Sequence, residues 1–460
     1  MKKDFHMGNR NRLYELLPAD SLLVLFSGDE LRKSADAYYL FYADRNFVYL
    51  TGIAQKQSVL LAKKSVDGSV EERLYLLPKD AMAERWTGRR LDVREAEELS
   101  GVGDVRCLKD FDQDFSVLSG KVGQICLDLH KQAPEDRDRR SHVLAGALEK
   151  SNPEIRIQDI SPLIRKLRTI KQPCEIDALR TAEEMTRQGI LAMMRASRPG
   201  MWEYQYKAEF DRAIGQFGPK EAGFQSIISA GKNNFCIHYD SYTGQAADGD
   251  LILNDVGAQW DNLIVDVSRG WPCNGKFTEK QRLLYECARK TSDYMFSIIR
   301  PGMKMAEVDA TIRRYNAQLL VEAGVMERVE DVGAYMWHGG AHHIGYDVHD
   351  AIELPDVLAP GMVFCVDVGI YHEAWGIGFR LEDNCLVTEN GCENLSAAIP
   401  RTIEEIEAAM AKWARRSIRL WLLAPTFRRN RLVVKSNLLQ IRIFALIINL
   451  FRSVTGGLYD

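Results

Sequence analysis

The chain of 460 residues lacks several features that would assign it to a specialised class of protein. No run of apolar residues reaches the 18 or so needed for a membrane span, and the first twenty residues contain no apolar core of a secretory signal. The formal net charge of −4 does not suit a nucleic-acid-binding protein at the level of the whole chain. We therefore expect a cytoplasmic globular protein.

The cysteines follow no pattern that indicates a cross-linked or metal-binding scaffold. There are nine of them, and none forms Cys-x-x-Cys or another zinc-binding spacing. The sequence therefore predicts reduced and mostly buried thiols, as is usual in cytosolic proteins. The cysteines are Cys107, Cys126, Cys174, Cys236, Cys273, Cys287, Cys365, Cys385 and Cys392.

The length exceeds what one hydrophobic core usually supports, so it predicts more than one domain. Residues 1–165 form the first predicted domain, of α/β type, with candidate strands at residues 21–26, 59–62, 73–77 and 124–128. Residues 166–410 form the second predicted domain. Residues 411–460 are a basic extension whose role stays open, either a membrane-surface or partner-binding segment or an addition without a function; we predict low order there.

Two short hairpins in the second domain each carry a pair of carboxylates. In the first, Asp255 and Asp266 lie in short runs rich in β-branched residues, which predict strands. A turn centred on residues 260–261 would place these two side chains directly opposite each other, with Cβ atoms about 5 Å apart. Carboxylates at that distance repel each other and raise each other's pKa, and a cation between them would remove the repulsion.

The second hairpin repeats this arrangement. A turn centred on residues 374–375 places Asp367 directly across from Glu382. Arg380 lies two residues before Glu382 and so shares its face of the strand, where a guanidinium could orient a metal-binding carboxylate.

Repeated strings suggest that the second domain consists of two related halves. Asp-Val-Gly occurs at residues 255–257 and 367–369, and Arg-Pro-Gly-Met occurs at residues 198–201 and 300–303. Each Arg-Pro-Gly-Met string follows a predicted helix, which its proline and glycine would end.

Histidines stand between the hairpins, in the string His338-Gly-Gly-Ala-His342-His343. Its two glycines oppose a helix, so we expect a loop or an edge strand, on which His342 and His343 would point to opposite faces. Four carboxylates and one imidazole form an oxygen-rich site that favours Mn²⁺ or Mg²⁺, with Zn²⁺ or Co²⁺ still possible. Two such ions could share two carboxylates and hold a hydroxide between them.

The ordered set of motifs resembles the metal-dependent pita-bread peptidases, and among them the Xaa-Pro aminopeptidases (aminopeptidase P). The resemblance covers residues 8–410. The matching strings are residues 45–52, 84–90, 168–171, 198–201, 231–233, 274–278, 338–350, 360–363 and 380–383. It implies an α+β protein with an N-terminal α/β domain followed by a pita-bread catalytic domain.

The resemblance also implies the roles of individual residues. The implied metal ligands are Asp255, Asp266, His342, Asp367 and Glu382. The implied catalytic residues are His238, His338, His349 and the proton shuttle Asp367. The implied supporting or substrate residues are Arg380, Tyr371 and Trp86. Asp350 is expected to fix the tautomer of its neighbour His349, and Trp86 would either reach a neighbouring subunit's cleft or pack in a core.

The implied function is a two-metal aminopeptidase that releases the N-terminal residue preceding proline from peptides. Two divalent ions, expected to be Mn²⁺, would hold a hydroxide that attacks the scissile carbonyl. The family resemblance further implies a homo-oligomer, either dimeric or tetrameric. Two alternatives stay open: a prolidase acting on Xaa-Pro dipeptides, and a metal-poor binding module on the same fold.

One position departs from the family pattern. The family normally has Glu-Pro where this chain has Asp367-Val368. Aspartate keeps the charge but is shorter by one methylene, roughly 1.5 Å of reach. Because a displacement of about 1 Å can lower a rate about a hundredfold, we expect weakened activity or an altered metal preference.

Overall fold

A computed structural model describes residues 1–218, 221–350 and 357–411, and within these Met1–Ala409 form one compact unit. The predicted extension at residues 411–460 lies, except for Ala411, outside the described residues. The predicted domain boundary near residue 165 stays a prediction. Every helix in the described part of the chain is too short or too polar to cross a membrane.

The N-terminal part is built on a six-stranded mixed sheet. Its strands are β1 (Ser21–Phe26), β4 (Val59–Lys64), β5 (Val70–Leu76), β6 (Val105–Cys107), β7 (Gln124–Leu127) and β8 (Arg156–Asp159). Their order is β6-β5-β4-β1-β7-β8, with β1 antiparallel to β4 and parallel to β7. Alternate residues of β1 enter different hydrophobic clusters, Leu23 on one face and Leu22 on the other. The four strands predicted from sequence are all present.

Seven helices and a small hairpin surround this sheet in the described part. The helices are α1 (Lys3–Leu16), α2 (Arg45–Thr51), α3 (Ala81–Thr87), α4 (Val93–Ser100), α5 (Phe111–Ser119), α6 (Arg140–Ser151) and α7 (Ser161–Thr169). The hairpin consists of β2 (Arg32–Ser34) and β3 (Ala37–Tyr38). Trp86 on α3 is 83% exposed, so the alternative that it packs in a core is wrong, and its reach towards a neighbouring subunit stays a prediction.

The second part combines long helices with the two predicted hairpins, and residues 403–411 are also helical. The long helices are α8 (Pro173–Ala196), α9 (Glu203–Ile214), α10 (Glu279–Ile298) and α11 (Met305–Glu322). The first group of strands is β9 (Ile227–Ala230), β10 (Leu251–Val256), β11 (Gln259–Trp260), β12 (Leu263–Ile264) and β13 (Val267–Pro272). The second group is β14 (Ala341–His343), β15 (Val363–His372), β16 (Ile377–Val387) and β17 (Cys392–Asn394).

These strands form a three-stranded sheet, β13-β10-β9, a two-stranded sheet, β11-β12, and a four-stranded sheet, β14-β15-β16-β17. Strands β10 and β13 pack against β16, so the two carboxylate-bearing hairpins lie against each other. The mixture of helices and strands agrees with the predicted α+β class.

The two Arg-Pro-Gly-Met strings form the same turn. Gly200 and Gly302 have φ values of 81° and 90°, a left-handed conformation that glycine adopts without strain after proline in a type II turn. The Met201 N–H donates to the Arg198 carbonyl at 3.2 Å, and the Met303 N–H donates to the Arg300 carbonyl at 3.5 Å. Each turn follows a long helix, α8 in one half and α10 in the other, as the sequence predicted.

A buried ion pair joins the two hairpins behind the carboxylate face. Arg269 on β13 and Asp383 on β16 are fully buried, with Nη2 and Oδ1 2.7 Å apart. Arg269 Nη1 also donates to the Glu382 carbonyl at 2.7 Å, and Arg401 Nε approaches Asp383 Oδ2 at 3.1 Å.

We predict that Asp383→Asn lowers the free energy of unfolding by about 3–5 kcal/mol, because it leaves the buried Arg269 guanidinium without its charge partner. Chemical denaturation monitored by circular dichroism would measure the loss. The matched control is Glu393→Gln, which breaks the exposed pair with Arg180 and should cost about 1 kcal/mol or less. Equal losses in the two variants would contradict the prediction.

Candidate metal centre

The first hairpin brings its two carboxylates together in a register that differs from the predicted one. Asp255 lies opposite Ser268, so the prediction that it lies directly opposite Asp266 is wrong. The turn is formed by Asp261 and Asn262, both with positive φ (49° and 68°), as a two-residue type I′ loop requires. Asp266 therefore lies diagonal to Asp255 on the same face, still within side-chain reach.

The second hairpin has the predicted register. Asp367 on β15 pairs directly with Glu382 on β16, and the connection is a short turn at Glu373–Trp375. Arg380 shares the face of Glu382 and is buried, and its Nη2 donates to Asp255 Oδ2 at 2.8 Å. The guanidinium, carried by the second hairpin, thus binds a carboxylate of the first hairpin.

His342 completes the cluster from the edge strand β14. Its Nε2 lies 3.3 Å from Glu382 Oε1 and 3.6 Å from Asp266 Oδ2. His343 points to the other face and packs near the ring of Phe364, with centroids 6.0 Å apart. The alternation expected of an extended chain therefore directs His342 to the carboxylates.

The four carboxylates are all buried, and each keeps one oxygen without a hydrogen bond to any described residue. These atoms are Asp255 Oδ1, Asp266 Oδ1, Asp367 Oδ1 and Glu382 Oε1. Burying a charge without a partner is costly, and bound cations would reduce that cost. Asp266 and Glu382 each offer a ligand atom close to His342, in a group whose ligand atoms lie within 4.8 Å of one another. The residues present therefore fit divalent metal ions.

The carboxylates perturb each other's protonation. Burial, and then the charges of Asp255 and Glu382, raise the pKa of Asp266 well above its ordinary value. Burial, and then the charge of Asp367, raise the pKa of Glu382. In the metal-free protein the folded state therefore favours protons on these groups, and a cation would displace them.

Asp367 differs because it has a close cationic partner. Burial alone would raise the pKa of its carboxyl, but the charge and hydrogen bond of His338 outweigh burial and lower that pKa. Burial in turn would lower the pKa of His338, yet Asp367 raises it overall. His338 Nδ1 and Asp367 Oδ2 lie 3.1 Å apart, so the two groups form a charged pair.

Gly369 makes room for this pair. It occupies the third position of the second Asp-Val-Gly string, and a Cβ atom there would overlap the imidazole of His338. The glycine is therefore required for the close approach of His338 to Asp367.

Ser268 holds the carboxylate of Glu382 and Asn384 holds the backbone of Asp266, and the sequence alone did not identify either residue. Ser268 Oγ donates to Glu382 Oε2 at 2.9 Å, and Arg380 Nε donates to Ser268 Oγ at 3.3 Å. The Asn384 side chain donates to the Asp266 carbonyl at 2.6 Å and accepts from the Asp266 N–H at 3.2 Å. Ser268 lies two residues after Asp266, and Asn384 lies two residues after Glu382. Residues two apart on a strand share a face, so this spacing could have identified both.

Tyr371 and the remaining histidines lie around the cluster. Arg380 Nη1 donates to the Tyr371 hydroxyl at 3.1 Å. The His349 ring lies 4.2 Å from the His342 ring. Partial burial, and then the charges of His342 and His238, lower the pKa of His349. Both His238 and His349 are exposed.

Asp350 does not orient His349 as expected, so that prediction is wrong. Its two carboxylate oxygens accept hydrogen bonds from Arg168 and Lys171, both of which are buried. Arg168 and Lys171 belong to a segment that is far from Asp350 in the sequence. The local sequence around His349 therefore could not indicate these partners.

Cys365 is an unexpected member of the cluster. Asp266, His342, Cys365 and Glu382 can each offer one ligand atom, and the four atoms lie within 4.8 Å of one another. Burial, and then the charges of Glu382 and Asp266, raise the pKa of the Cys365 thiol well above its ordinary value. The cysteine lies two residues before Asp367 and shares its strand face, so alternation could have identified it.

Comparisons with known proteins agree with this arrangement. Residues 177–389 match the model of metallopeptidase family M24, and residues 6–125 match the aminopeptidase P N-terminal domain. The chain is 31% identical over 429 residues to the Xaa-Pro aminopeptidase of Escherichia coli (strain K12), an alignment that covers 87% of this chain and 96% of that protein. It is 27% identical to human Xaa-Pro aminopeptidase 3, over 84% of this chain and 80% of the relative.

A solved structure gives the same result. Aminopeptidase P from E. coli with the inhibitor Pro-Leu superposes with a TM-score of 0.83 at 29% identity, covering 90% of this chain and 99% of that one. The expected fold, an N-terminal domain followed by a pita-bread catalytic domain, is thereby confirmed.

We predict that metal binding to the metal-free protein releases protons, because the pKa values of Asp266 and Glu382 are raised and a metal ligand must be deprotonated. The same competition makes the metal-dependent rise in melting temperature grow as the pH increases from mildly acid to mildly alkaline.

Calorimetric titration in two buffers of different ionisation enthalpy would measure the released protons. Asp266→Asn removes one of the two acids and should reduce the release. An enthalpy that does not depend on the buffer would contradict the prediction.

Proposed function

The chain belongs to the Xaa-Pro aminopeptidases of metallopeptidase family M24, and from this premise we propose that it releases the N-terminal residue preceding proline from peptides. The observation that carries the proposal is the convergence of four buried carboxylates and one imidazole from segments more than a hundred residues apart. Each carboxylate keeps an oxygen without a hydrogen bond in the described structure, which favours bound cations. The family relationship supports a metallo-exopeptidase.

We assign two divalent ions to this cluster. The proposed ligands are Asp255, Asp266, His342, Asp367 and Glu382. Bound ions would supply a nucleophile at neutral pH, by lowering the pKa of a water molecule, and would polarise the scissile carbonyl. The position between Asp255 and Asp266 offers carboxylate oxygens, which suit a hard ion such as Mn²⁺.

The pair formed by His338 and Asp367 supplies the proton chemistry. Their Nδ1 and Oδ2 atoms are 3.1 Å apart, so a proton can be held between them without solvent. Peptide hydrolysis must deliver one proton to the departing prolyl nitrogen, and Asp367 is the carboxylate positioned to pass it on.

His238 and His349 act on the substrate from the exposed edge of the site. The lowered pKa of His349 keeps its ring neutral at physiological pH, so it can donate one N–H to the carbonyl on the proline side. A fixed donor at that place stabilises the negative charge that develops as the carbonyl is attacked.

We predict that the protein cleaves Xaa-Pro-Yaa peptides when Mn²⁺ is added, and that Asp367→Glu raises kcat/KM by about 10- to 100-fold, because the longer side chain restores about 1 Å of missing reach. Chromatographic detection of the released amino acid measures the rate. Xaa-Ala-Yaa peptides and Asp266→Asn serve as negative controls.

The same assay separates the alternatives. Cleavage confined to Xaa-Pro dipeptides would favour a prolidase. Absence of turnover by both wild type and Asp367→Glu, together with absence of bound metal in elemental analysis, would contradict the enzymatic proposal and favour a binding module.

Arg380 offers a second prediction. Because its guanidinium contacts Asp255, Ser268 and Tyr371 at once, we expect Arg380→Lys to lower metal affinity about 10- to 100-fold. Competition with a chromogenic chelator would measure the affinity. Arg180→Lys, at an exposed ion pair, is the control and should leave the affinity unchanged; equal affinities in all three proteins would argue against an orienting role.

A further inference from the structure

We propose that the thiolate of Cys365 is a ligand of the metal ion bound by His342, so that this position prefers a thiophilic ion such as Zn²⁺ or Co²⁺. The inference rests on the proposed metallopeptidase function and specifies its metal site. It assigns a role to a cysteine that neither the spacing of the cysteines nor the family resemblance indicated.

The strand register places Cys365 at this position. His342 on β14 lies directly across from Cys365 on β15, and directly opposed residues of antiparallel strands have Cβ atoms about 5 Å apart. Cys365 is two residues before Asp367, so both side chains project from the same face of β15. The cysteine is fully buried.

The donor atoms are spaced as one ion requires. His342 Nε2 lies 3.3 Å from Glu382 Oε1 and 3.6 Å from Asp266 Oδ2. A tetrahedral ion with bonds of about 2.1 Å to nitrogen and oxygen separates its donors by roughly 3.4 Å. The ligand atom of Cys365 lies within 4.8 Å of the other three, and a zinc–sulfur bond of about 2.3 Å lets it approach the same centre.

An independent observation marks the centre of this set. Asp266 and Glu382 are both more than nine-tenths buried, and each has an oxygen without a hydrogen bond in the described structure. Both residues belong to the same four-residue group as the cysteine.

Asp367 leaves room for the sulfur. Its carboxylate does not belong to the four-atom group, and its Oδ2 is instead 3.1 Å from His338 Nδ1. The side chain is one methylene shorter than the glutamate that the family resemblance leads one to expect here. The thiolate therefore occupies a coordination position that a longer carboxylate would reach.

Ligation requires no redox change. The thiol loses its proton to solvent when the sulfur–metal bond forms, and no other bond breaks. A thiolate in place of a carboxylate shifts the preference from Mn²⁺ towards Zn²⁺ and Co²⁺, whereas the position between Asp255 and Asp266 remains oxygen-rich.

Cobalt substitution tests the inference directly. The full-length protein is freed of metal with a chelator, kept reduced without oxygen, and titrated with Co²⁺. We expect a sulfur-to-cobalt charge-transfer band in the near ultraviolet for the wild type, and its loss in Cys365→Ser, while the visible cobalt bands remain. Cys385→Ser, which removes another buried cysteine outside the four-residue group, is the matched control and should keep the band.

Two results would overturn the proposal: cobalt bound by the wild type without the band, or a band that persists in Cys365→Ser. We also expect Cys365→Ser to lower the ratio of Zn²⁺ to Mn²⁺ affinity by at least about tenfold. An unchanged ratio counts against sulfur ligation.

X-ray absorption at the zinc edge removes any dependence on the folding of a variant. The zinc-loaded wild type should show one sulfur neighbour at about 2.3 Å, and a shell of nitrogen and oxygen alone would reject the inference. A peptidase assay of the same preparation with Mn²⁺ added separates the two claims. Turnover without sulfur leaves the proposed function intact, whereas sulfur without turnover rejects that function and retains the ligand.

Discussion

The mutual repulsion of four buried carboxylates is the constraint on which the rest of the structure depends. Two unit charges about 4 Å apart interact by about 4 kcal/mol at the effective dielectric constant typical of proteins. Several such repulsions together would equal the 5–15 kcal/mol by which a folded domain is usually stable. Arg380 compensates Asp255, and His338 compensates Asp367, whereas Asp266 and Glu382 share the imidazole of His342.

Paired hairpins can hold such a cluster because neighbouring residues of a strand point to opposite faces. The metal-site side chains therefore lie on one face and the buried ion pair lies on the other. Glu382 projects into the metal centre, whereas the next residue, Asp383, projects to the opposite face and forms the buried pair with Arg269. In the same way Ser268 faces Glu382 while its neighbour Arg269 faces away. The ion pair behind the sheet therefore fixes the hairpins against each other without adding charge to the centre.

The sequence predicted the second hairpin correctly and the first only in part, and turn chemistry explains the difference. Left-handed Asp261 and Asn262 moved the turn of the first hairpin by one residue, which moved the partner of Asp255 from Asp266 to Ser268. Because this shift changes the partner by two residues, the side chains stay on the same face. The prediction that the carboxylates of Asp255 and Asp266 lie close together is therefore correct, although the predicted register is wrong.

Other parts of the site could not be derived from local patterns. The partners of Asp350 come from a helix end about 180 residues earlier in the chain, and nothing near His349 indicates them. Cys365 was within reach, because the rule that placed Arg380 beside Glu382 also places Cys365 beside Asp367. Repeated spacing of cysteines along the chain cannot reveal a single thiol that joins ligands from other strands.

The positions of residues along β15 determine which donor atom lies beside an ion bound by His342. His342 lies across from Cys365, whereas Glu382 lies across from Asp367, and neighbouring rows on one face are about 7 Å apart along the strand. A glutamate at residue 367 could span part of that distance, but an aspartate that is already paired with His338 cannot. In the proposed site the shorter side chain thus leaves the position beside His342 to the sulfur, while Asp367 keeps its pair with His338.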